Sequence, residues 1–143
     1  MNKIAVIRIK GMIGINRDIA ETLDRLRLRR KYVCVILEKP SKEQMGMIKT
    51  LRDFVAYGKI NEETFVKLIE ARGKLVDSSK KIDAKKIFAE VEAGKKYDEL
   101  NLKPFFSLHP PRGGIDSKKH FGVKKGVLGD NKDSINKLIE RML

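Results

Sequence analysis

The chain is short of the residues that build covalent or metal-centred chemistry. One cysteine, Cys34, among 143 residues leaves no internal disulfide framework and no cysteine-rich zinc site. The two histidines, His109 and His120, do not complete a metal set with it, and no spacing offers a Ser-His-Asp arrangement. Cys34 itself lies in a strongly apolar run, which predicts an inert core thiol. The phosphate loop ending in Gly-Lys-Ser/Thr is absent, as is the dinucleotide fingerprint. These absences argue against an enzyme and predict no catalytic residue, no metal, no cofactor and no small-molecule substrate. Long apolar runs are missing too: nothing approaches the ~20 residues of a spanning helix. Met1-Asn2-Lys3-Ile4 leads straight into a strand-like segment without a signal-peptide pattern. The expected location is a reducing cytoplasm, with no membrane partner.

Acidic residues are the other shortage. There are 19 Asp and Glu against 32 Lys and Arg, a formal charge of +13. The 41% hydrophobic content is enough for a real core, so the charge bears on partners rather than on fold. It points to a polyanion. A membrane surface would call for one basic amphipathic helix beside an apolar anchor; here the positive charge is spread over several elements, which favours nucleic acid.

The apolar periodicity alternates between strand and helix. Lys3 to Lys10 reads as a strand, with Ile4, Val6 and Arg8 on one face and Ala5, Ile7 and Ile9 on the other. After the turn Gly11-Met12-Ile13-Gly14, Asn16 caps a helix carrying Ile19, Ala20, Leu23 and Leu26. Tyr32 to Leu37 is nearly all apolar and predicts a central strand. Pro40-Ser41 opens a second helix with Met45, Ile48 and Leu51, Phe54–Gly58 starts a third strand, and Asn61 caps a third helix that Gly73 ends. A connection over 74–81, a short helix over 83–94, a strand-like Phe105–Leu108 and a C-terminal helix with Ile135, Leu138, Ile139 and Met142, capped near Asn131 or Asp133, complete the reading. The order predicts an α+β chain with a ferredoxin-like split β-α-β core. Residues 1–73 are expected as that core and residues 74–143 as an extension packed on it.

Three segments concentrate the charge. Arg25, Arg27, Arg29, Arg30 and Lys31 lie within seven residues without an acid among them. Part of this complements a helix C-terminus, where a cation is worth about 0.3–1 kcal/mol; the excess suits phosphate. Lys10, Gly11 and Gly14, followed by Arg17 at a helix start, form a candidate anion cradle, although glycine there can equally serve sterics. The third segment contains His109-Pro110-Pro111-Arg112-Gly113-Gly114, then Lys118-Lys119-His120 and Lys124-Lys125-Gly126. Between Lys103 and Gly126 the only acid is Asp116. Two prolines and repeated glycines predict a basic loop, poorly ordered until a polyanion neutralises it. Arg112 can pair bidentately with phosphate, and His120 or Phe121 can stack on an unpaired base. Phe105, Phe106 and Phe121 equally suit core packing.

The same residues carry a family resemblance. Ile7-Arg8-Ile9-Lys10-Gly11-Met12-Ile13-Gly14, Leu26-Arg27-Leu28-Arg29-Arg30 and Leu108-His109-Pro110-Pro111-Arg112-Gly113-Gly114 together resemble the archaeal form of the ribosomal protein L-thirty family, which includes eukaryotic ribosomal protein L-seven. The resemblance covers nearly the whole length, and bacterial members are similar only to about its first 60 residues. It implies a structural, non-catalytic RNA-binding subunit with a ferredoxin-like core. The implied partners are large-subunit ribosomal RNA, near the five-S RNA, and neighbouring large-subunit proteins. The family's RNA-contacting features fall on the Gly11–Gly14 turn with Arg17, on Arg27, Arg29 and Arg30, and on Arg112, Gly113 and Gly114. Two other classes are weighed against it. A single-strand RNA module of the RRM kind needs an aromatic pair on its central strands, where only Tyr32 is offered. A small acyl-phosphate hydrolase needs Arg17 and Asn16 around a longer glycine loop than the one present.

Overall fold

The first strand is buried on both sides, which sets the architecture. A computed structural model describes residues 3–11, 16–38, 41–72, 105–111, 116–120 and 126–142. Strand β1 (Lys3–Arg8) sends Ala5 and Ile7 to one core and Val6 to the other. It is followed by α1 (Arg17–Arg25), β2 (Val33–Glu38), α2 (Lys42–Thr50), β3 (Val55–Lys59) and α3 (Glu62–Arg72). Then come β4 (Phe106–Ser107), β5 (Asp116–His120), β6 (Gly126–Asp130), a 3-10 turn at Lys132–Ser134 and α4 (Ile135–Met142). The six strands form one sheet in the order β4-β2-β1-β3-β6-β5.

β1 is antiparallel to both β2 and β3, so those two run parallel with β1 between them and α2 joining them. This is the expected split β-α-β unit in an α+β chain. One sheet face packs on Leu23 of α1 and Ile48 of α2, and the other on Phe65, Leu68 and Ile69 of α3 with Ile135, Leu138, Ile139 and Met142 of α4. Helices therefore cover both faces. Each fully buried Leu, Ile or Phe contributes roughly 1.5–3 kcal/mol, so these two layers hold the sheet in place.

The caps follow the sequence. The Asn16 side chain accepts from the Asp18 amide at 3.0 Å, and Ser41 with Gln44 forms a reciprocal capping box. The Asn61 side chain accepts from the Thr64 amide at 2.8 Å. Two expectations are corrected. Asn131 does not cap α4: its buried amide donates to the carbonyls of Val127 and Gly129, tying off the end of β6, and the 3-10 turn precedes the helix. The basic segment is not loop throughout either, because Asp116–His120 pairs in parallel with Gly126–Asp130. The Gly73 stop, the 74–81 connection and the 83–94 helix lie outside the described residues. None of the described helices is long and apolar enough to cross a membrane.

Cys34 sits fully buried in β2, and burial pushes its thiol well above the usual range. The unfolded chain releases this proton above about pH 8.5 while the folded state keeps it. The stabilisation from the neutral buried thiol is thus complete below that pH and declines as pH rises through it. Cys34→Ala should remove this part of the alkaline loss in a denaturation series, and a thiol reagent should label Cys34 only after unfolding.

Candidate nucleic-acid interface

The candidate interface begins where α1 ends. The Arg27 amide donates to the Asp24 carbonyl at 3.0 Å and the Leu28 amide to the Leu23 carbonyl at 2.9 Å. That pair of bonds, with Leu23 and Leu28 both fully buried, is a Schellman stop. The position that glycine usually takes is held by Arg27, at φ 63°. The following loop exposes Arg29, Arg30 and Lys31 and closes on Tyr32, also left-handed at φ 65°. Arg27, too, is exposed. A non-glycine residue in this region costs on the order of 1 kcal/mol, so the backbone alone does not favour an arginine here.

Tyr32 is the junction. Its amide donates to the Arg8 carbonyl at 2.7 Å, and its carbonyl accepts from the Leu108 amide at 3.0 Å. The next amide, that of His109, donates to the Met142 carbonyl at 2.8 Å. The register places these segments at one end of the sheet: Arg8 faces Val55, Ile7 faces Cys34, and Val33 faces Ser107. The start of the glycine turn lies at the same end. Both the Ile9 and Lys10 amides donate to the Phe54 carbonyl, at 3.0 and 3.2 Å, and the Lys10 ammonium lies 5.5 Å from the Phe54 ring centre. Three segments far apart in sequence, around Lys10, Arg27–Lys31 and His109, therefore share one end of the fold.

The charges are not all unopposed. Arg25 pairs with Glu21 at 2.7 Å, and Arg29 pairs with Asp24 at 2.9 Å with side chains 72% and 65% exposed. Exposed pairs of this kind are worth about 0–1 kcal/mol, so a polyanion can compete for them. Lys31 lies 5.1 Å over the Tyr32 ring. Arg17, Ala20, Glu21, Asp24, Arg29 and the edge of Arg8 line a cleft of about 560 Å³. Its two carboxylates oppose capture of a small anion, and Asn16 is occupied in capping α1, which disfavours the phosphate-hydrolase reading. Among the described residues, no three His, Cys, Asp or Glu side chains group closely enough to hold a metal.

Not every candidate lies beside these three segments. The register brings β5, with Lys118, Lys119 and His120, to the same end of the sheet, His120 facing Leu128 and Gly129 facing Ala56, but β5 is the edge strand opposite β4, with β3 and β6 between it and β1. Gly14, Arg112, Gly113, Gly114, Phe121, Lys124 and Lys125 lie outside the described residues. Phe106 is fully buried and Phe105 is packed against the core, so the core reading holds for both. Tyr32 sits before β2 rather than on it, and helices cover both sheet faces. This leaves no open aromatic platform of the RRM kind among the described residues.

Known proteins resemble this chain along nearly its whole length. Residues 4–55 match the family model of ribosomal protein L30p/L7e. The chain is 37% identical over 153 residues to large ribosomal subunit protein uL30 of Methanococcus vannielii, covering 97% of this chain and 98% of that protein. It is 38% identical over 153 residues to the uL30 of Archaeoglobus fulgidus, covering 96% and 98%. It is 42% identical over 161 residues to that of Desulfurococcus amylolyticus, covering 97% of each. The chain belongs to the L30p/L7e family.

Within this L30p/L7e chain, the stretch matching the family model runs from β1 to the first residue of β3 and so includes Lys10, Gly11 and the whole 27–32 loop. Sequence reasoning found the exposed cations there and counted Arg8 with Lys10 and Arg17 as charge around the turn for an approaching anion; Arg8 is instead buried, and the signal was its parity with Val6, which put a charge on a core-facing position. Gly11 is informative in a different way. A Cβ built on it meets nothing within 4 Å, and its φ is outside the left-handed region. The protein's own packing does not demand glycine. Gly11→Ala is expected to keep or slightly raise the melting temperature, by reducing unfolded-state entropy, and to weaken RNA binding on the order of tenfold, because the added methyl takes space open to an approaching phosphate backbone. Arg27→Gly should behave similarly for its own reason. Relief of the left-handed arginine stabilises the free protein by about 0.5–1 kcal/mol, and loss of the guanidinium weakens binding. Thermal melts and RNA titrations of the two variants check both.

Proposed function

We propose that this L30p/L7e chain is a structural constituent of the large ribosomal subunit that binds and orders ribosomal RNA and performs no catalysis. The observation that carries the reading is the shared sheet end, where Lys10, the Arg27–Lys31 loop and His109 meet on a rigid scaffold. Exposed cations on fixed backbone suit phosphates, which position an RNA without requiring a particular base. The RNA-binding set is Lys10, Gly11, Gly14, Arg17, Arg27, Arg29, Arg30, Lys31, His109, Arg112, Gly113, Gly114, Lys118, Lys119, His120, Lys124 and Lys125. Residues 1–73 act as the RNA-binding core and 74–143 as an extension packed on it. The partners are large-subunit ribosomal RNA close to the five-S RNA and neighbouring large-subunit proteins, in the cytoplasm. The uL30 name of the relatives supports the subunit, and the net charge of +13 supports the polyanion.

The test is titration of deproteinised archaeal large-subunit RNA with the full chain across a salt series. Release of counterions from several phosphates gives a steep log–log dependence, about 0.7–0.9 per phosphate neutralised. Tight binding to short unstructured RNA, with no preference for the folded large-subunit RNA, would favour a free RNA-binding module instead.

A further inference from the structure

Arg8 occupies a place where the pattern of β1 calls for an apolar side chain. It shares the parity of Ile4 and Val6, faces the core under α1 and α2, and is only 2% exposed. Burying a guanidinium costs several kcal/mol in lost hydration before any partner is met. Burial also lowers the pKa of this arginine. Packing alone therefore does not account for arginine at this position.

Its hydrogen bonds do. Nε donates to the Lys10 carbonyl at 2.9 Å, and Nη1 donates to the Leu28 carbonyl at 2.8 Å. The first acceptor opens the glycine turn and the second lies inside the arginine loop. The Arg8 carbonyl meanwhile receives the Tyr32 amide at 2.7 Å, at the far end of that loop. One residue thus holds the turn by its side chain and the loop at two points, by side chain and main chain. A planar guanidinium can serve two carbonyls in fixed directions at once; an ammonium can match its charge but not that geometry.

We propose that Arg8 is a positioning residue that locks the Lys10–Gly11 turn to the 27–32 loop, so that the cations of both meet the ribosomal RNA backbone as one rigid surface. This rests on the RNA-binding reading above and adds to it a buried residue that does not touch the RNA. Separated segments would each bind with their own ordering cost; a pre-set pair does not.

The test compares wild type, Arg8→Lys and Arg8→Met as full chains with deproteinised archaeal large-subunit RNA, below the melting temperature of each. Arg8→Lys should bind about tenfold more weakly, with a salt slope lower by about one. In wild type, Lys10→Gln should weaken binding severalfold; on the Arg8→Lys background it should have little further effect. A folded Arg8→Lys protein with wild-type affinity and slope overturns the proposal, because it shows either a purely stabilising arginine or a plain charge that lysine replaces. Arg8→Met should match or exceed the loss in Arg8→Lys; if it does not fold, the lysine variant alone decides. Failure of the wild-type chain to bind this RNA overturns the RNA-binding reading, and this proposal with it, whereas wild-type binding with an indifferent Arg8→Lys overturns this proposal alone.

Discussion

Replacing Arg27, Arg29 and Arg30 together by glutamine is expected to weaken binding to large-subunit RNA on the order of 100-fold at low salt and to lower the salt slope by about 2–3. Each of these side chains is exposed. Their loop is fixed by the Schellman bonds to Leu23 and Asp24 and by the Tyr32 amide on Arg8, none of which involves the substituted groups. The fold therefore survives. Among the described residues only the Arg29–Asp24 pair is lost, which at this exposure is worth about 0–1 kcal/mol. Circular dichroism and the melting temperature should change little while affinity falls. Removing the same number of charges from Lys49, Lys67 and Lys137, all exposed on α2, α3 and α4, is the control and should move the slope by less than about one. Equal losses in the two triple variants would mean that the protein binds through net charge alone.

Gly58→Ala is expected to destabilise the protein by about 3 kcal/mol or more and to lower its melting temperature by roughly 10 °C. Gly58 lies on β3 beneath the 3-10 turn. A Cβ there would lie 2.3 Å from the Lys132 carbonyl oxygen and 3.0 Å from Cβ and Cγ2 of Ile135. Neither neighbour can yield easily. The turn is pinned by the Asn131 amide on the Tyr57 carbonyl at 2.7 Å and the Ser134 amide on the Asn131 carbonyl at 3.0 Å, and Lys132 is already left-handed at φ 49°. Ile135 is fully buried at the start of α4, which also buries Leu138, Ile139 and Met142. Relieving the clash means lifting α4 from the sheet and exposing that whole face. Thermal or urea unfolding measures the effect; a melting temperature within a degree or two of wild type would show that α4 is not locked to β3 as described.

The elements legible in the sequence are those whose signals are local. Alternation marked β1, and the side-chain caps Asn16, Ser41 and Asn61 marked the three helix starts. Strand β6 was hidden because Gly126 and Gly129 flank only Val127 and Leu128; it exists through β3 on one side and β5 on the other. β5 was hidden for the opposite reason. Its Asp-Ser-Lys-Lys-His sequence has no apolar face, which an edge strand tolerates and a sequence pattern cannot distinguish from loop. At the site, the cations were plain to read but their surroundings were not. The Arg29–Asp24 pair spans the Schellman turn rather than a helical repeat, and Glu21 opposes Arg25 one turn back along α1. The left-handed Arg27 and Tyr32 carry no glycine or asparagine to announce them.

The most direct test of the ribosomal account is sedimentation of a native lysate of the source organism through sucrose gradients, following the protein across a salt series. The account predicts that it travels with the large subunit and leaves only as salt rises, because its hold on RNA is largely electrostatic. A protein that stays at the top of the gradient at low salt, as a free 16.3 kDa chain, would contradict it.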